Sequence, residues 1–94
     1  MSDLIDEAVK ALSARIDDFD GNAKFVFGEE GTIMLDSSGA RAGDGEADVT
    51  LTAEPDTFRA IFEGELDPTA AFMSGKLSVD GDMGQAMKLA GALS

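Results

Sequence analysis

Cysteine, histidine, tryptophan and tyrosine are all absent from this sequence, and proline occurs only twice. Without cysteine there is no disulfide framework, no thiolate nucleophile and no Cys-ligated metal site. Without histidine the usual proton shuttle, triad base and imidazole metal ligand are missing as well. Carboxylates remain as potential acids and bases, but nothing in the pattern sets two of them in apolar surroundings. No catalytic residue, metal ligand or cofactor is therefore assigned, and the chain reads as non-enzymatic. Basic residues are also scarce, 7 against 19 acidic ones, for a net charge of -12. That balance repels polyanions. With no basic stripe it disfavours nucleic acid and leaves at most weak or transient membrane contact. No apolar run approaches the roughly 20 residues of a membrane-spanning helix. The opening "MSDLIDEAVK" is acidic where a signal peptide needs a basic and then a long apolar segment. A cytoplasmic location is the expectation.

What is present suits a globular chain: 44% hydrophobic and 28% charged residues in 94 positions, read as one domain over 1–94. Apolar residues at Leu4, Ile5, Ala8, Val9, Leu12 and Ile16 predict an amphipathic helix from Ser2 to about Asp18, capped by Ser2 or Asp3. "AKFVFG" and "TIMLD", joined by "EEG", predict a hairpin in which Phe25, Phe27, Ile33 and Leu35 alternate with Lys24, Val26 and Met34. "SSGARAGDGEA" is turn-rich, a loop edge or a short third strand around Ala40 to Ala42. "ADVTLTA" predicts a strand with Val49, Leu51 and Ala53 on one face.

Pro55 opens a helix carrying Phe58, Ile61 and Phe62 and stopped by Gly64. Asp67 and Pro68 start a second, which runs through Phe72 and Met73 to Gly75. "KLSVD" is a half-buried strand with Leu77 and Val79 inward, and Asp82 caps a last helix, with Gln85 placed to complete a capping box. That last helix is apolar over most of its circumference, with only Gln85 and Lys88 distinctly polar, and so predicts cover on more than one side.

Motifs of other chemistries fail on inspection. "DFDGN", "DGEAD" and "DGDMG" space acidic oxygens but lack the glycine and terminal glutamate of a calcium loop. "SGK" at Ser74 to Lys76 has Ala70 where a phosphate loop needs its first glycine, and "GDGEAD" lacks the third glycine of a dinucleotide fingerprint. What remains is an apolar set: Phe58, Ile61, Phe62, Phe72, Met73, Met83 and Met87. Periodicity reads these equally as the core of a small domain or as the wall of an adaptable ligand cavity, because methionine serves both.

"GELDPTAAFMSGKLSVDGDMGQAMKL", residues 64–89, resembles the C-terminal signature of the sterol carrier protein 2 family. There a Gly-acidic-Leu-x-Pro turn leads to an "AFMSGK" helix, a short strand ending in Gly-Asp-Met and an "AMKL" helix. The preceding "ADVTLTAEPDTFRAIFEGEL" is similar to the family's strand and "F-x-x-[ILM]-x-x-G" helix. The resemblance implies an α+β fold: a five-stranded, largely antiparallel sheet with a crossover, covered on one face by helices that enclose an apolar tunnel. It also implies a lipid-binding and lipid-transfer function. Phe72 and Met73 would lie beneath the inner face of the sheet, Met83 and Met87 at the tunnel mouth, and Phe58, Ile61 and Phe62 along the adjoining wall. Gln85 and Lys88 stand either to meet a ligand head group or simply to cap and solvate the helix.

The resulting expectation is a lipid-binding module holding one apolar ligand, whether a fatty acid, sterol-like molecule, phospholipid or isoprenoid. The net charge disfavours an acyl-CoA, and the ending "GALS" differs from the Ser-Lys-Leu type that signals peroxisomes. The alternative is a protein-interaction or accessory factor of the same fold, for example in isoprenoid-quinone (ubiquinone) synthesis, acting as a homodimer or on a protein partner.

Overall fold

Alternation in four short strands and the register between them define the interior. The computed structural model describes residues 3–16 and 19–93. It orders the chain as α1 (Asp3–Arg15), β1 (Ala23–Phe27), β2 (Thr32–Asp36), β3 (Gly39–Ala42), β4 (Val49–Ala53), α2 (Pro55–Phe62), α3 (Pro68–Met73), β5 (Leu77–Gly81) and α4 (Met83–Leu93). Ser2 as a cap, and the run of α1 toward Asp18, lie outside the described residues.

The sheet order is β3-β2-β1-β4-β5, antiparallel except for the central β1–β4 pair, which is parallel. Cross-strand neighbours fall into rows on the inner face. Ile33, Phe25, Leu51 and Val79 form the middle row, and Phe27, Ala53 and Leu77 the next. The turn-rich segment does form a strand, Gly39–Ala42, because its backbone completes the hydrogen-bonding edge of β2 even though its side chains contribute little.

A parallel pair needs a crossover, and here it is a loop rather than a helix. Three strand spacings, about 14 Å, separate β3 from β4, a distance that residues 43–48 can span in extended form. The loop lies over the outer face, where Asp44 pairs with Lys24 of β1 at 3.0 Å and Gly45 approaches Met34 of β2. Met34 is therefore buried, at 6% exposure, although strand alternation predicts it in solvent. The hydrogen bond from Lys24, aided by its charge, holds the Asp44 carboxyl below the ordinary range. The ordinary value is 3.8, so this staple is complete above that pH and is lost as acidification carries Asp44 through its lower folded-state value.

Helices α1 to α4 cover the inner face. α1 buries Ile5, Ala8 and Leu12 and packs over β2 and β3. Pro55 starts α2 and Asp67 caps α3, its carboxylate accepting the Ala70 N–H at 3.1 Å. Both helices end in a Schellman turn: Glu65 N–H reaches Ala60 O and Lys76 N–H reaches Ala71 O, each at 2.9 Å, with Gly64 and Gly75 in the left-handed region.

Gly81 at the end of β5 lies opposite Val49, with φ +106. A Cβ there would collide with the Asp48 carbonyl, which accepts the Asp82 N–H at 2.8 Å and so sets the turn into α4. Gly39 has a similar φ of +110 but open space around it. Gly81→Ala should therefore destabilise the protein by about 2–3 kcal/mol and Gly39→Ala by about 1 kcal/mol. Urea unfolding of the two variants measures the difference, which isolates the backbone collision from the cost of the dihedral angle.

Candidate functional site: an apolar pocket under the last helix

The inner face of β4 and β5 is not covered flush. Leu51, Leu77 and Val79 floor a pocket of about 200 Å³. Phe58 and Ile61 of α2 form its back wall, Pro68, Thr69 and Phe72 of α3 one side, and Met83, Ala86, Met87, Ala90 and Leu93 of α4 the roof. Thr69 is the only lining residue with a polar side chain.

The roof is a helix with one buried face. Ala86, Leu89 and Leu93 are buried, but Met83 is 50% and Met87 73% exposed. The cover on several sides that its apolar sequence predicts is not there, because α4 lies at the surface, packed on β4, β5 and α3 with its other side exposed. With Phe72 at 44% and Met73 at 81%, these are the large exposed hydrophobic residues among the described ones, and they all belong to α3 and α4. Phe72, Met83 and Met87 rim the pocket.

Polar contacts hold this roof at both ends. Asp82 Oδ1 accepts the backbone N–H of Gly84 at 2.8 Å and of Gln85 at 3.3 Å. Gln85 does not fold back as a capping box. Its Oε1 accepts the Asn22 N–H at 3.0 Å, and its Nε2 donates to Asp48 Oδ2 at 3.1 Å, which ties α4 to the starts of β1 and β4. At the other end Arg15 Nη1 donates to the Leu93 carbonyl at 3.0 Å, a cation at a helix C-terminus where the dipole favours one.

Of the residues singled out in the sequence, Phe58, Ile61, Phe72, Met83 and Met87 come together around the pocket. Four stand elsewhere. Phe62 faces the other side of α2, in a hollow against α1. Met73 lies on the solvent side of α3, not beneath the sheet, since one residue further along a helix turns the side chain by about 100°. Gln85 is committed to the latch, and Lys88 is exposed and does not line the pocket. Leu51, Leu77 and Val79 join the site from strands whose alternation already marked them as inward. No sequence signal marked Thr69.

Among the described residues no group of three or more acidic side chains is placed to hold a metal ion, and no helix is long and apolar enough to cross a membrane. The architecture is thus a helix-covered sheet with a nearly all-apolar pocket between the layers. The sequence profile of the SCP-2 sterol transfer family matches residues 2–94, and the chain belongs to that family. It is 44% identical to human hydroxysteroid dehydrogenase-like protein 2 over 94 residues, which cover 92% of this chain and 21% of the relative. The chain spans only about a fifth of the length of such relatives. Among solved structures, the sterol carrier protein 2 of Aedes aegypti in complex with palmitate shares the fold. Its TM-score is 0.79 at 24% identity, with 100% of this chain and 97% of the other covered. Palmitated SCP2L2 of Aedes aegypti gives 0.73 at 26% identity, with 99% and 95% covered.

Gln85→Ala removes two side-chain hydrogen bonds that cross from α4 to the sheet, and should cost roughly 1–2 kcal/mol. Amide hydrogen exchange should accelerate first in the N-terminal half of α4 while the central strands keep their protection.

Proposed function

We propose that the chain takes up one apolar lipid tail under α4 and performs no chemistry on it. The observation that carries this reading is the pocket itself, where twelve of thirteen lining residues present only hydrocarbon or thioether and the exposed Phe72, Met83 and Met87 stand at its rim. Burial of a methylene contributes roughly 0.8 kcal/mol, so a tail of about 16 carbons offers on the order of 10 kcal/mol before the costs of association. At about 200 Å³ the pocket is smaller than the ~300–1,000 Å³ usual for ligand sites, so uptake requires α4 to move outward. The outward side of α4, with Met83 and Met87 exposed, carries no cover that would oppose the movement, which has to draw Ala86, Leu89 and Leu93 partly out of the core.

The ligand class follows from charge. A protein of net charge -12 repels a polyanionic carrier such as acyl-CoA, whereas a fatty acid or a neutral lipid brings little or no charge. The palmitated relative supports a fatty acid. A second reading, in which the same face docks a partner protein or a second copy, draws on Met73, which is 81% exposed and does not line the pocket.

Native mass spectrometry after incubation with palmitate tests the proposal. A stoichiometric adduct is expected, along with a rise in melting temperature on the order of 10 °C at a hundredfold excess over Kd. Met87→Trp should fill the mouth and abolish the adduct in a protein that remains folded. Unchanged uptake by that variant would place the ligand elsewhere, and no adduct with fatty acids, sterols or isoprenoids would favour the docking reading.

A further inference from the structure

A second hollow, about 390 Å³, lies on the opposite side of α2 from the lipid pocket. α1 presents Leu4, Ala8 and Ala11 to it, and α2 presents Pro55, Arg59 and Phe62, with Glu63 following at the helix C-cap. Leu4, Ala8 and Ala11, and likewise Pro55, Arg59 and Phe62, are three, four and seven apart, so each helix turns one stripe toward the other. The two alanines are too small to close the gap. The floor is Phe27, which is buried, and beside it Phe62.

The rim of this hollow differs from that of the lipid pocket. Arg59 bridges to Glu7 across it at 3.5 Å, and Glu63 lines it as well. The Arg59 and Glu7 side chains are 56% and 68% exposed, so their ion pair is weak and readily exchanged for another. Two carboxylates and one guanidinium over an aromatic floor match neither a simple anion nor a simple cation.

We propose that the groove between α1 and α2 is a separate binding site for a single-chain amphiphile with a zwitterionic head. Arg59 takes the anionic group with paired N–H donors, Glu7 and Glu63 take the cationic group, and the tail lies over Ala8, Ala11, Phe27 and Phe62. The volume falls within the range of small-molecule sites, about 300–1,000 Å³. The site does not depend on the lipid pocket being filled. Phe58 stands between the two hollows, stacked on Phe62 at 5.9 Å and set against Phe27 at 4.3 Å.

The test is an NMR titration of the isotope-labelled chain with dodecylphosphocholine below its micelle concentration, with dodecyl maltoside as a probe of equal tail and uncharged head. Saturable shifts centred on α1 and α2 are expected, with at least fivefold weaker binding of the maltoside. Arg59→Gln, at an exposed position, should weaken dodecylphosphocholine at least fivefold and leave the palmitate adduct intact, and Ala11→Leu should fill the groove. Shifts confined to the α3–α4 rim, equal binding of the two probes, or Arg59→Gln within twofold of the parent would each overturn the proposal. Failure of the lipid-pocket reading is separately visible, as a missing palmitate adduct beside intact groove shifts.

Discussion

Phe58 is the side chain on which the layers depend. It is 1% exposed and sits edge-on to Phe25 at 5.8 Å, against Phe27 at 4.3 Å and stacked with Phe62 at 5.9 Å. Aromatic pairs in these offset and edge arrangements add to the burial of their area. They fasten α2 to β1, the middle strand of the sheet. With α2 fixed there, the space between helices and sheet is divided in two, an apolar pocket toward α3 and α4 and a charged-rim groove toward α1.

A small domain leaves a large fraction of its surface exposed, so unfilled space is costly. Here much of that cost falls on α4. Its buried face has about one alanine or leucine per turn, Ala86, Leu89 and Leu93, and its methionines are half or more exposed. It is held by the Gln85 and Arg15 hydrogen bonds at its ends and by Ala86, Leu89 and Leu93 packed into the core. The polar latches and the buried Leu89 and Leu93 together give the helix a defined resting place.

The elements were legible because their signals are local. Alternation placed Phe25, Leu51, Leu77 and Val79 inward, and Pro55, Asp67 with Pro68, Gly64 and Gly75 punctuated the two short helices where the structure breaks them. The third strand was ambiguous because its pairing draws on backbone groups and on the edge of β2, which side-chain pattern does not report. Met34 was misread for a related reason: its outer face becomes an interior only when residues 43–48 cross over it.

The sequence by itself determined the class of fold, the inward stripes and, through residues 64–89, the family, since these are carried by short-range spacing and by a contiguous motif. Which apolar residues share a wall was decided only by tertiary structure. Phe58 and Phe62, four apart on one helix, face different hollows, and Phe72 and Met73, adjacent in sequence, divide between pocket and solvent. Gln85 passed from candidate head-group contact to structural latch because Asn22 and Asp48, far away along the chain, are brought to it by the sheet. Such assignments rest on contacts between distant segments, and those exist only once the parallel pairing of β1 with β4 has gathered them.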